Sequence, residues 1–347
     1  MLDIPGDHLE GGGQILRTAL ALSCILSRPI RIFKIRAKRP NPGLKSQHLS
    51  VLETLSRLFA ARTEGVKLNS TEIIFSPQSK FIKETYLRID LQTAGSIGLF
   101  LQPLLLVAAL RSGGGGLSLE IRGGTCGLGA IPVDYYPVVV FPTLKNSGLK
   151  ANLEILRRGY YPKGGGEVKV EIEKITHPTD IVLERQGKIT QIKGISIASK
   201  PLKERNVCQR QIDSAKRILL QRYPVPMQIE EMYVDTLSLG LELNLYAYTD
   251  TGCILWSDSR GEQKKTAEEV GLQAATKLIN QIDSGAAVDL HLADNLIPWL
   301  ALLGGKIKTS EVTLHTQTNI WICELFLGKI FTVRDNTISC EGSKGIL

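Results

Sequence analysis

The sequence has no CxxC pair and no cysteine and histidine cluster at zinc-ligand spacing, although it contains six cysteines. Cys24, Cys126, Cys208, Cys253, Cys323 and Cys340 are scattered along the chain, as expected for reduced core thiols rather than a disulfide framework. The five histidines (His8, His48, His177, His291 and His315) include no pair at metal-ligand spacing, which argues against a zinc enzyme. Long apolar runs are also missing. The longest, residues 99–110, is interrupted by Gln102 and Pro103 and is shorter than the roughly 20 residues a spanning helix requires, so no membrane segment is expected. The opening residues, MLDIPGDHLEGGGQ, are acidic and glycine-rich where a secretory leader is basic and then apolar. A cytoplasmic location is the resulting expectation.

What is present suits a folded α/β protein. Hydrophobic residues are 43% and charged residues 22% of the chain, which excludes a wholly disordered or fibrous reading. The 347 residues are enough for two domains or for one large repeated domain. Lys and Arg exceed Asp and Glu by 42 − 34 = 8. Seven of these bases (Arg28, Arg31, Lys34, Arg36, Lys38, Arg39 and Lys45) fall within residues 28–45, with no acidic residue among them and the turn formers Pro40, Pro42 and Gly43 nearby. Such a segment could hold phosphates or form a solvated surface strand and loop, and charge alone does not choose between them.

One order of elements recurs. The spacing predicts a helix over 12–27, a strand over 29–36, a helix over 43–62 and short strands near 65–76. The same order is read at 95–111, 117–122, 133–146, 150–157 and 167–173. It is read a third time at 291–303, 308–314, 318–327, 329–334 and 336–340. Residues of about 182–277 do not fit this order; strands at 190–198 and 230–248 and a helix at 203–222 suggest an inserted domain. The expected division is therefore a large domain of residues 1–181 plus 278–347 with an insert at 182–277. Junctions from strand through loop to helix N-terminus gather backbone N–H donors and suit phosphate groups. At the three equivalent junctions stand residues 36–43, the run Arg122, Gly123, Gly124, Thr125, and His315.

Several residues at these places could carry chemistry. Glu10 and three glycines open the first helix and permit close approach of a ligand, while Gln14 and Arg17 share one face of it. Glycine triplets also occur at 114–116 and 164–166, where a tight turn is the plainer reading. His315 is read at the end of an alternating strand, before a polar cap region; a lone histidine there could equally be a capping or surface group. His291 and Asp294, three apart, can face one ligand or simply form a charged first turn. Gln102 is an amide within an apolar helix, so it either braces the backbone or contacts a ligand.

Together, EGGGQILR at 10–17, IRAKRPNPGLKSQHL at 35–49, AGS with Gln102 downstream, RGGT at 122–125, YYPKGGG at 160–166, HLADN at 291–295 and HTQTNI at 315–320 resemble the RNA 3′-terminal phosphate cyclases over nearly the whole chain. The resemblance implies an α/β (α+β) fold of three βαβαββ-type units forming a large domain, with a smaller inserted α/β domain. It implies ATP as cosubstrate and RNA with a 3′-phosphate end as substrate, with His315 as the nucleophile that takes AMP. It further implies Glu10 as a ligand of Mg²⁺ or Mn²⁺, and Gln14, Arg17, Arg36, Arg39, Gln47 and Gln102 around the nucleotide and its phosphates. The stretch His291, Leu292, Ala293, Asp294 and Asn295 is implied on the adenosine side, and Pro132 is implied among the nucleotide-binding residues. Some members have tyrosine in place of His291. Two other readings are a catalytically silent relative, against which Glu10, Arg17 and His315 argue, and a small-molecule transferase on a similar repeated scaffold.

Overall fold

The computed structural model describes residues 1–78, 86–111, 116–127 and 129–343; Gly114 and Gly115 of the triplet at 114–116 lie outside them. The first unit runs β1 (Leu2–Pro5), α1 (Gly13–Leu26), β2 (Ile30–Phe33), α2 (Ser46–Phe59), β3 (Arg62–Glu64) and β4 (Ile73–Ser76). The second runs β5 (Tyr86–Asp90), α3 (Ile97–Leu110), β6 (Leu117–Gly123), a π-helical turn (Tyr136–Val140) leading into α4 (Phe141–Lys145), β7 (Ala151–Arg157) and β8 (Gly166–Ile172). The third begins with β9 (Ile181–Leu183). An insert follows: β10 (Ile189–Ser199), a 3₁₀ turn (Lys200–Arg205), α5 (Val207–Arg222), β11 (Met227–Val234), β12 (Leu241–Thr249), β13 (Ile254–Arg260) and α6 (Ala267–Asp283). The third unit then resumes with α7 (Leu290–Leu303), β14 (Gly305–Lys308), α8 (Leu314–Leu327), β15 (Phe331–Arg334) and β16 (Thr337–Cys340).

Each unit closes the same four-stranded sheet, in the orders β1-β2-β4-β3, β5-β6-β8-β7 and β9-β14-β16-β15. The first two strands of each unit are parallel because a helix crosses between them, and the remaining pairs are antiparallel. The mixed α/β class and the βαβαββ unit therefore stand. Along β6, Leu117, Leu119 and Ile121 alternate inward while Ser118, Glu120 and Arg122 point away, so the sheet buries one face. Helices of all three units pack against one another, α1 with α3 and α8 and α7 with α8, within one continuous apolar cluster.

Three local expectations are corrected. The order read from residue patterning lacks the opening strand of each βαβαββ unit: β1 and β9 are three or four residues long, and in β5 Tyr86, Arg88 and Asp90 face outward. The strand expected over 308–314 is β14 and ends at Lys308, since its partner β16 extends only from Thr337 to Cys340. Helix α8 therefore starts at Leu314 rather than 318, with the Thr313 hydroxyl accepting from the Thr316 N–H at 3.1 Å as its cap. His315 lies in the first turn of a helix, not at the end of a strand. In the insert, the strand expected over 230–248 is two strands, β11 and β12, and β13 and α6 complete it.

The insert's sheet, β11-β10-β12-β13, carries α5 and α6 over a separate apolar cluster that includes Ile192, Leu243, Leu255, Val270 and Leu278. By pairing, β9 crosses the division expected after residue 181, and α6 crosses the one expected before 278. A buried polar network joins the insert to the second unit. Arg158 donates to both Asp134 oxygens at 2.5 and 2.7 Å, and the Tyr160 hydroxyl donates to Glu242 at 2.9 Å.

Candidate active site

Five helices begin at one cleft. The first turns of α1 (Gly13, Gln14), α2 (Gln47, His48), α3 (Leu99), α7 (His291, Asp294) and α8 (His315) all line a cleft of about 590 Å³. The repeat underlies this convergence: the first and third units each bring two helix starts here, and the second brings α3. A helix N-terminus presents unpaired N–H groups and the positive end of the peptide dipole, so the cleft favours anions before any side chain is counted. Arg17, Arg36 and Arg39 add side-chain cations to the same cleft.

His315 is exposed to this cleft, and its Nδ1 lies 2.6 Å from the Gln14 Oε1. Its proton affinity falls below the ordinary histidine value. Partial removal of the ring from water is the main cause; the Asp294 carboxylate opposes it, and Arg17, Arg39 and His291 reinforce it. Asp294 is buried, and its Oδ1 accepts from the hydroxyls of Thr313 at 2.9 Å and Thr316 at 2.5 Å. Thr313 is the cap of α8, so Asp294 on α7 braces the turn that presents His315. Burial pushes the Asp294 carboxyl upward, against the hydrogen bonds from Thr316 and Thr313. Asn319 extends the brace, donating to the Asp294 main-chain oxygen at 2.8 Å and accepting from Thr18 at 2.7 Å.

On the opposite side, the Arg17 Nε donates to Gln102 Oε1 at 3.0 Å, and the Gln102 amide donates to Asn295 Oδ1 at 3.0 Å. Asn295 in turn donates to the His291 carbonyl at 2.8 Å. Gln102 therefore connects all three units. Burial lowers the Arg17 guanidinium to about 10, which still leaves it charged at neutral pH. Arg36 is fixed on the Asn41 and Gly43 carbonyls at 2.7 and 2.9 Å, and Gln47 accepts from the Ser96 N–H at 3.3 Å. The Glu10 carboxylate pairs with Arg39 and accepts from the Gly12 N–H at 2.6 Å. Gly13 leaves no room for a larger residue: a Cβ there would come within 2.4 Å of His48 Nε2.

The cleft gathers Glu10, Gln14, Arg17, Arg36, Arg39, Gln47, Gln102, His291, Asp294, Asn295 and His315, which sequence reasoning singled out from distant segments. Leu292 and Ala293 instead point into the core, at 1% and 0% exposure, and shape the cleft only through α7. Pro132 is buried behind Ala130 and Ile131, which do face the cleft. Sequence reasoning assigned no role to His48, whose Nδ1 accepts from the Lys45 N–H at 3.1 Å; its place beside Gln47 was the available signal. It also missed Asp258, Arg260 and Lys277 of the insert, for which no local signal exists. Among the described residues no group of three or more His, Cys, Asp or Glu could hold a metal ion, and no helix is long and apolar enough to cross a membrane.

A family model described as RNA 3′-terminal phosphate cyclase matches residues 8–333. Proteins named RNA 3′-terminal phosphate cyclase are similar over nearly their whole length. That of Thermococcus onnurineus is 43% identical over 333 residues, covering 96% of this chain and 95% of its own. That of Pyrococcus furiosus is 39% identical over 346 residues (99% and 97%), and that of Archaeoglobus fulgidus 38% over 345 (97% and 99%). With its repeated units and its helix-ringed cleft, the chain belongs to the RNA 3′-terminal phosphate cyclase family.

Proposed function

We propose that the chain uses ATP to convert an RNA 3′-phosphate end into a 2′,3′-cyclic phosphate, with His315 as the nucleophile that carries AMP. The observation that supports this most strongly is the contact of His315 Nδ1 with Gln14 Oε1 at the meeting point of the helix N-termini. An amide oxygen only accepts, so Nδ1 bears the proton and Nε2 keeps a free lone pair. The lowered proton affinity of the ring keeps that lone pair available near neutral pH.

The chemistry then proceeds in three displacements. Nε2 attacks the α-phosphorus of ATP; the N–P bond forms, the bond to the bridging oxygen breaks, and pyrophosphate leaves with the electron pair. An oxygen of the RNA 3′-phosphate next attacks the same phosphorus and releases the imidazole, giving RNA joined to AMP through a pyrophosphate bridge. The adjacent 2′-hydroxyl, losing its proton to water, attacks the RNA phosphorus and expels AMP. Covalent catalysis of this kind divides one difficult displacement into easier ones. Arg17, Arg36 and Arg39 offset charge developing on the transferring phosphoryl group, and the helix N-termini hold its oxygens. The first turn of α7, with His291, Asp294 and Asn295, takes the adenosine side.

Glu10 fits a divalent cation only in part. It is a lone carboxylate, already paired with Arg39, so it suits a hard ion such as Mg²⁺ or Mn²⁺ that arrives with phosphate oxygens to complete its shell. Bound there, the ion would neutralise phosphate charge. The test of the overall reaction is end specificity: RNA ending in a 3′-phosphate becomes resistant to phosphatase in the presence of ATP, while RNA ending in a 3′-hydroxyl does not react. Equal reaction of both ends contradicts the proposal.

A further inference from the structure

The insert builds part of the wall of the same cleft, through Asp258 and Arg260 from β13 and Lys277 from α6. Nothing in the three displacements uses it. We propose that this wall holds the RNA strand, with Lys277 contacting a phosphodiester of the chain that carries the reacting 3′-phosphate. The inference rests on reading the cleft as an RNA-end site and adds where the strand leaves it.

Three observations support it. Lys277 is exposed on the cleft and, among the described residues, has no carboxylate partner at ion-pair distance; its ammonium donates only to the Asp258 main-chain oxygen at 2.8 Å. The wall is fixed at both ends. Arg260 donates to the Gly127 carbonyl of the second unit at 2.7 Å, and Gln281, one helical turn beyond Lys277, accepts from Ser310 of the third unit at 2.8 Å. Ser310 lies just before the cap of α8, so the lysine is held beside the segment leading to His315.

The charge count suits one phosphodiester rather than a triphosphate. Arg260 already has Glu262 at 3.6 Å, so Lys277 is the one cation the insert offers here without a carboxylate partner among the described residues, whereas Arg17, Arg36 and Arg39 line the same cleft from the first unit. Two polyanions must share the cleft if it joins ATP to an RNA end. Separate cations let both enter without competing for the same groups.

The test compares wild type with Lys277→Ala, Lys277→Glu and Lys277→Arg, using an RNA oligonucleotide with a 3′-phosphate. Binding is measured without ATP over a salt series, and KM is measured separately for RNA and for ATP. The Ala change should weaken RNA binding by about fivefold and the Glu change by more, the slope of log affinity against log salt should fall by about one, and Arg should restore both. The KM for ATP should move less than about twofold, because the arginines of the first unit are untouched. Unaltered RNA affinity and salt slope in Lys277→Glu overturn the inference, as does a rise in the KM for ATP with RNA binding intact. If wild type forms no covalent AMP, the chemistry above fails, yet the salt slopes still decide the role of Lys277.

Discussion

Gln14 Oε1 and His315 Nδ1 lie 2.6 Å apart although 301 residues separate them in the chain. The contact joins the first turn of α1 to the first turn of α8, so the first unit of the repeat orients a histidine supplied by the third. Asp294 braces the same turn from α7 through Thr313 and Thr316. The placement of the His315 ring is thus set by the packing of three helix starts.

Gln14→Leu keeps the approximate volume and removes the acceptor. Without it the imidazole loses its preferred tautomer and orientation, and single-turnover adenylylation should fall about 10-fold to 100-fold with little change in thermal midpoint. A rate equal to wild type would mean that another group sets the tautomer.

The lowered proton affinity of His315 gives a signed pH dependence. In the proposed reaction the neutral ring is the nucleophile, so adenylylation at saturating ATP should be level from alkaline pH down through about 6.5 and decline only in more acid solution. Arg39 is one of the charges that lower it, so Arg39→Met should move the acid limb upward. A wild-type limb centred above neutral pH contradicts this assignment.

Much of the fold and site could be read from the sequence, and the failures have physical reasons. The three units were legible because their helices and central strands are strongly patterned; β1, β5 and β9 were not, being short or largely polar on one face. Residues 309–313 alternate like a strand, but the Thr309 and Thr313 hydroxyls serve a turn and a cap, a choice that depends in part on Asp294 far away. The glycine run and the segment with Arg36, Arg39 and Gln47 indicated the cleft because each is local. Asp258, Arg260 and Lys277 did not, because only folding of the insert brings them there.

His48 is buried with its Nδ1 already used as an acceptor, and burial, then Arg17, Arg36 and Lys45, lower its pKa to about 3. Between that value and 6.5 the unfolded chain binds the proton and the folded one does not. Stability is therefore full above pH 6.5 and declines as pH falls toward 3, by on the order of 1 kcal/mol per pH unit. Denaturant midpoints at pH 7 and 4.5 should converge in His48→Gln; an unchanged acid loss in the variant rejects this role.

Arg158 stands between Asp134, which it binds through two hydrogen bonds, and Glu242 at 3.9 Å, all buried where the insert meets the second unit. Removing the cation leaves two buried carboxylates without it. Arg158→Met should cost about 3–5 kcal/mol, seen as a lower urea midpoint. A loss below about 1 kcal/mol would show that water or protonation replaces it readily.

The central claim is tested most directly by incubating the purified protein with ATP labelled at the α-phosphate, without RNA, and locating the label by peptide mapping. The account predicts one AMP bound through an acid-labile, base-stable nitrogen–phosphorus bond on the peptide containing His315, and no label in His315→Ala. Label retained in that variant, or found on another residue, contradicts it.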